Sequence, residues 1–153
     1  MTGDSPDPFL LERFVRAQER DYETALSEIK AGKKRTHWVW YVLPQLRGLG
    51  LSKMSQVYGI ATLAEARAYL AHPLLGARLR ECVDAMEKNS DLSASHILGE
   101  VDALKFRSCL TLFKAADGPQ SIFARALDAF FKGEPDRQSL SLLQRQGSPP
   151  NEA

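Results

Sequence analysis

Apolar side chains recur along most of the chain with the three- and four-residue spacing of amphipathic helices. Asp7 and Pro8 suit the start of a first helix, and Gly32 suits the end of a second, because glycine readily adopts the left-handed conformation that follows a helix. Later helices begin at typical N-cap residues, namely Ser52, Thr62 and Asp136. The pattern predicts an all-α fold, a compact single-domain multi-helix bundle of seven to nine short helices.

The segment from His37 to Leu43 departs from this pattern because it is apolar at every position after the first. Periodicity does not separate a buried strand from a short buried helix in such a run. Its composition favours a strand, whereas Thr36 as a cap and Pro44 as a terminator favour a helix. We expect a helix.

Length and composition predict one globular domain. The chain has 153 residues, of which 44% are hydrophobic and 25% charged, as in ordinary folded proteins. We expect the helical domain at residues 7–145, between a flexible N-terminus at residues 1–6 and a flexible C-terminal tail at residues 146–153.

Charge and targeting signals narrow the classes of partner. The formal net charge is +1, so no global field attracts a polyanion and nucleic acid is not an expected partner. The chain shows neither a secretory signal nor an apolar run long enough to cross a membrane, which predicts a cytoplasmic protein without a membrane role. Cys82 and Cys109 lie among apolar helical residues, so we expect reduced thiols.

The most function-like feature is a basic cluster next to an aromatic block. Lys34 and Arg35 precede two tryptophans, and cations beside aromatic faces hold phosphates and stacked bases. In this hypothesis Trp38 or Trp40 stacks on a ligand. The alternative is a solvated charge run at a helix end, followed by tryptophans of the hydrophobic core.

Polar residues at the ends of this block, and on a later helix, complete the hypothesis. His37 is a candidate acid or base because imidazole titrates near neutral pH, although its residue type slightly favours a structural hydrogen bond. Asp102, Lys105 and Ser108 follow one helix face and suit a sugar or phosphate; on a surface they are only a helix pair. We predict that His37, Gln45, Asp102 and Lys105 converge on one cavity.

The resulting hypothesis is a domain that binds or processes a phosphorylated, nucleotide-like small molecule. His37 and Asp102 are its candidate catalytic residues. The predicted ligand-binding residues are Lys34, Arg35, Trp38, Trp40, Gln45, Lys105 and Ser108. The histidines lack the spacing of metal sites, so neither a metal nor another cofactor is predicted. A noncatalytic protein-interaction or regulatory domain is the alternative.

Several motifs resemble the domain of unknown function 1810 family over about residues 7 to 144. The residues that carry the resemblance include Asp7-Pro8-Phe9, Gly32-Lys33-Lys34-Arg35, His37-Trp38-Val39-Trp40, Pro44-Gln45, Gly48-Leu49-Gly50, His72-Pro73, Asp102, Lys105, Ser108 and Phe130-Phe131. The resemblance implies a small, mainly helical bacterial protein without an established activity. Some relatives carry the label calpastatin, but calpastatins are disordered repeat inhibitors, and this chain has neither repeats nor a disorder-like composition. An analogy with the ADP-ribose-related family typified by YbiA suggests an ADP-ribose-like ligand.

Overall fold

A computed structural model describes residues 6–146 and confirms the all-α prediction. The helices of this part of the chain are α1 (Glu12–Ala31), α2 (Val39–Val42), α3 (Lys53–Tyr58), α4 (Leu63–Ala71), α5 (Leu75–Lys88), α6 (Ala94–Leu98), α7 (Glu100–Asp117), α8 (Ile122–Phe131) and α9 (Arg137–Gln146). Within it, Leu46 and Ile60 form an isolated parallel bridge and no strand occurs. Apart from Pro6 and Gln146, the predicted flexible ends at residues 1–6 and 146–153 lie outside the described residues.

The prediction of two helices before Gly32 is wrong, because α1 is one continuous helix. Buried Ala17 and Gln18 continue the inward stripe through the polar stretch at which we expected a break. Asp7 lies before the helix, where its carboxylate accepts hydrogen bonds from the backbone N–H groups of Leu11 and Glu12 at 2.8 and 3.1 Å. At the other end, Gly32 has a φ of 76° and provides the predicted left-handed C-cap.

The segment from His37 to Leu43, for which the sequence left strand and helix open, is helical only over α2. Its cap also differs from the predicted one. Thr36 does not cap α2: its hydroxyl donates to the carboxylate of Glu28 at 2.8 Å. Leu43 leaves the helical region immediately before Pro44, as steric conflict with the proline ring requires. Trp38, Tyr41 and Leu43 are buried, so the block is mainly part of the core.

Helix α7 forms the centre of the bundle and packs against α4, α6, α8 and α9. Phe106 and Phe113 on this helix are fully buried, and Phe113 lies 5.5 Å from the ring centroids of both Tyr69 and Phe123. The thiols of Cys82 and Cys109 are free and buried, and burial raises the pKa of Cys82 to about 12. None of the helices within residues 6–146 is long and apolar enough to cross a membrane.

Gly76 allows α5 to approach the end of α4 closely. A Cβ atom at this position would lie 2.1 Å from the backbone carbonyl oxygen of Leu70, which a side-chain rotation cannot relieve. We expect Gly76→Ala to lower the free energy of unfolding by about 3 kcal/mol, as overpacking of a rigid contact does. Ala77→Ser, on the exposed face of the same helix, is the control and should stay within about 0.5 kcal/mol in urea denaturation. Equal stability of the two variants would contradict the prediction.

Candidate functional site

A cleft of about 480 Å³ opens between the first half of α7, the loop that precedes α3 and the start of α9. Four of its lining residues were predicted as ligand-binding residues: Trp40, Gln45, Lys105 and Ser108. Such a volume is in the range of small-molecule sites, which combine apolar walls with a few polar groups. The cleft is therefore the candidate functional site.

Two lysines and one aspartate form a charged cluster at the cleft wall. One carboxylate oxygen of Asp102 accepts from Lys34 Nζ at 2.8 Å and the other from Lys105 Nζ at 3.0 Å. The Lys34 side chain is only 8% exposed, and its backbone N–H donates to the carbonyl of Ile97 at 2.7 Å. Because two cations share one anion, the cluster has an excess positive charge, and Lys105 carries it to the cleft.

The ionisation of Asp102 follows from this geometry. Burial raises the pKa of its carboxyl group, but the Lys34 and Lys105 ammonium groups outweigh burial and hold the pKa below its ordinary value of 3.8. The carboxylate is thus ionised at neutral pH, with each oxygen bonded to a lysine. This arrangement suits a residue that positions the two lysines.

Trp40 and Gln45 bring unpartnered polar groups to the same wall. The indole N–H of Trp40 is buried without a hydrogen-bond partner in the described part of the chain, and Lys105 Nζ lies 5.0 Å from the centre of its rings. Gln45 is 9% exposed, and its carboxamide bonds to none of the described residues. Both also line, with Ser55 and Lys105, an inner cavity of about 10 Å³, the space of one water molecule. Buried polar groups normally have partners, so the Trp40 N–H has capacity for a water in the inner cavity, and the Gln45 carboxamide has capacity to bond to a ligand.

The remaining walls of the cleft are largely apolar. Leu51, Val101 and Leu104 line it, and each has more than half of its surface exposed. Large apolar residues in a concave surface are typical of contacts with a planar or hydrophobic ligand group. The cleft thus combines a cationic, hydrogen-bonding end with an apolar mouth.

The structure brings together only part of the predicted site. Gln45 and Lys105 line the cleft, and Asp102 is joined to it through Lys105. His37 is exposed and does not line the cleft, so the predicted convergence of all four residues is not observed.

Three of the predicted ligand-binding residues do not line the cleft: Lys34, Arg35 and Trp38. Lys34 is joined to it through Asp102 and Lys105. Arg35 is exposed and lines a separate groove beside α1. Trp38 is 1% exposed, so its ring faces are covered by protein, and only Trp40 remains available for stacking. These residues are separated because the turn before α2 directs successive side chains to different sides.

Glu28, which the sequence analysis did not single out, organises that turn. Its carboxylate accepts from the backbone N–H groups of Arg35 and Thr36 at 2.8 and 3.1 Å, and from the indole N–H of Trp38 at 2.8 Å. Burial raises the pKa of this carboxyl group, but the four hydrogen bonds, that from the Thr36 hydroxyl included, lower it below its ordinary value. Glu28 thereby fixes the chain that carries Lys34 to Asp102.

The N-cap and the first turn of α9 also reach the cleft. Of these residues, the sequence predicted a role only for Asp136, as the cap. Asp136 and Gln138 line the cleft. Asp136 accepts from the backbone N–H and hydroxyl of Ser139 at 2.8 and 2.7 Å, as its predicted capping role requires. A local sequence signal predicted this cap, but no such signal indicates that α9 packs beside α7.

Comparisons with known proteins agree with this fold and do not supply an activity. The family model described as "Protein of unknown function (DUF1810)" matches residues 8–143. Among solved structures, the chain is similar to that of the conserved hypothetical protein Rv1873 from Mycobacterium tuberculosis, with 45% sequence identity and a TM-score of 0.88. The match covers 90% of this chain and 99% of that one. A search of curated proteins found no match.

Proposed function

We propose that this chain, which belongs to the family described as protein of unknown function (DUF1810), binds a phosphorylated, nucleotide-like small molecule as ligand or substrate in its cleft. ADP-ribose is one candidate of this class. The observation that carries the proposal is the cluster of Lys34, Asp102 and Lys105, whose excess positive charge faces a cleft containing unpartnered polar groups.

The charge of the cluster favours an anionic ligand oxygen. Lys34 is held by Asp102 in a nearly buried position, which leaves Lys105, with 22% of its side chain exposed, to meet the ligand. A hydrogen bond from an ammonium group to a phosphate oxygen is stronger than one between neutral groups. The Trp40 N–H beside it is buried, so Lys105 is the donor that meets an oxygen-rich group at this end of the cleft.

The other features favour a planar ring as the second part of the ligand. Gln45 offers a carboxamide that can donate and accept at once, the pattern with which Gln and Asn pair with adenine. Leu51 and Leu104 supply apolar contacts at the mouth, and an indole supplies a stacking surface. A nucleotide combines the planar and the anionic parts.

Within this proposal Asp102 is a positioning residue. Its lowered pKa and its two lysine partners make it a poor proton donor or acceptor at neutral pH. His37 would have to approach a ligand from outside the cleft, so its predicted catalytic role does not follow from the site. The proposal therefore assigns binding roles to Trp40, Gln45, Lys105 and Ser108 and assigns no acid or base.

Titration with adenosine, AMP, ADP and ADP-ribose tests the proposal, with tryptophan fluorescence and the melting temperature as signals. We expect binding of at least one phosphorylated compound and a loss of about tenfold in its affinity in Lys105→Met, from the loss of a charge-assisted hydrogen bond. Lys30→Met, which removes an exposed lysine outside the cleft, is the matched control. No response to any compound, or a response that Lys105→Met leaves unchanged, would refute the proposal.

A further inference from the structure

A second cavity, of about 320 Å³, adjoins the cleft along α9. Leu49 and Gln138 line both spaces, so they share a wall. The second cavity is bordered by the loop at Gly48 on one side and by the exposed face of α9 on the other. To reach this cavity from the Lys105 end, a ligand longer than one ring and one phosphate would pass Leu49 and Gln138.

The face of α9 in this cavity is cationic. Arg137, Ser141 and Arg145 are spaced four residues apart, so they lie one above the other on the helix, and all three line the cavity. Neither guanidinium group has an ion pair or a hydrogen bond to the described part of the chain, and both arginines are exposed. Two unpaired guanidinium groups beside a hydroxyl match the oxygens of phosphate groups.

Helix electrostatics do not account for both arginines. Arg145 is near the C-terminus of α9, where a cation is favourable, but Arg137 is its first residue, where the partial positive charge of the helix makes a cation unfavourable. The carboxylate of Asp136, the N-cap, offsets part of this cost, but it accepts from Ser139 and does not pair with Arg137. A bound anion at this position would offset it.

Both ends of α9 are fixed to the bundle, which holds the arginines in place. At the start, the backbone N–H of Asp136 donates to the Thr111 hydroxyl at 2.9 Å. At the end, the Gln146 carboxamide donates to the Ala61 carbonyl at 2.7 Å and accepts from the Leu63 N–H at 3.3 Å. A fixed helix loses little backbone freedom on binding, so the spacing of the two arginines along α9 is set before a ligand binds.

We infer that Arg137 and Arg145 form a phosphate-binding subsite, and that the ligand is a nucleoside diphosphate or a derivative of one that spans both cavities. The base lies at the Trp40 and Gln45 end, the phosphate nearest the nucleoside meets Lys105, and the terminal phosphate reaches the α9 arginines. This inference rests on the proposed function for the identity of the base, whereas the phosphate subsite is tested without it.

The experiment measures the affinity of inorganic pyrophosphate and of ADP by calorimetry at low ionic strength. The variant is Arg137→Gln with Arg145→Gln, and the matched control is Arg67→Gln with Arg125→Gln, two exposed arginines on α4 and α8 that do not line either cavity. We expect the first pair to weaken both ligands about tenfold or more and the control pair to change them less than about twofold, because only the first removes direct charge-assisted contacts.

Each outcome separates the two proposals. Loss of pyrophosphate and ADP binding in the first pair alone supports the subsite. Pyrophosphate binding that depends on the α9 arginines, with no response to any nucleotide, supports the subsite and refutes the nucleotide proposal. Nucleotide binding that depends on Lys105 but is equal in both arginine pairs overturns the subsite and leaves the proposed function intact.

Discussion

Replacing Glu28 with alanine is expected to lower the free energy of unfolding by about 3 kcal/mol, because one buried and two half-buried N–H donors then lose a charged acceptor. The donors are the backbone N–H groups of Arg35 and Thr36 and the indole N–H of Trp38, which is itself buried. Urea denaturation measures the loss. We also expect the tryptophan emission to shift to longer wavelength as the turn before α2 loosens and water reaches Trp38.

The matched control is Glu23→Ala, on the same helix but exposed, which should stay within about 0.5 kcal/mol of the wild type. A cost below about 1 kcal/mol for Glu28→Ala would show that the four hydrogen bonds contribute little net stability. Glu28→Gln keeps the shape and part of the hydrogen bonding, so its cost should lie between those of the two alanine variants.

The pH dependence of this effect has a defined sign. The pKa of Glu28 in the folded protein is below its ordinary value of 4.5, so its stabilising effect is complete above that pH. The effect is lost as the pH falls through the lower pKa of the folded state. The stability difference between the wild type and Glu28→Gln should therefore be constant near neutral pH and shrink in acid. A difference that grows on acidification would contradict the lowered pKa.

The sequence predicted the features of the fold that depend on neighbouring residues. Ser52 and Thr62 accept hydrogen bonds from the N–H groups of Ser55 and Glu65, three residues later, as their capping signals indicated. The spacing of Thr62 and Glu65 also predicts a reciprocal capping box, but the Glu65 carboxylate bonds instead to the Ala61 N–H and to Arg13. The direction of the Glu65 side chain thus depends on a contact with α1, which the local spacing of residues does not reveal.

The candidate site was predictable only in part for the same reason. Residue type indicated that Trp40, Gln45, Lys105 and Ser108 can bind a ligand, and the structure brings them together. Residue type could not show that Trp38 is covered, because Trp38 and Trp40 have the same chemistry and differ only in the direction that the turn gives them. The arginines of α9 were missed because they have no distinctive local pattern.

Glu28 and Asp102 have related roles in the site, although they lie on different helices. Glu28 fixes the backbone of the turn that follows Lys34, and Asp102 fixes the ammonium group of Lys34 itself. Lys34 is consequently held from both sides and is unavailable to a ligand except through its charge. The electrostatic potential of the cleft thus depends on a lysine that the ligand need not touch.

Replacing Asp102 with alanine is expected to cost about 3–5 kcal/mol of unfolding free energy, because it leaves a nearly buried ammonium group without a counter-charge. Lys34 then also repels Lys105, since both had been bonded to the same carboxylate. The control is Asp84→Ala, which removes an exposed ion pair with Lys88 whose side chains are 53% and 77% exposed. Such a pair contributes less than about 0.5 kcal/mol, so denaturation in urea should separate the two variants clearly.

The charge balance of the cluster also predicts that replacing Lys34 and replacing Asp102 have different stability costs. Lys34→Met removes the excess cation and leaves Asp102 paired with Lys105, so it should cost less than Asp102→Ala. For the same reason, adding Lys34→Met to Asp102→Ala should restore part of the lost stability, because it removes the buried charge that has no partner. If the double variant instead loses the sum of the two single costs, Lys34 and Asp102 act independently. The coupling that we assign to this pair would then be wrong.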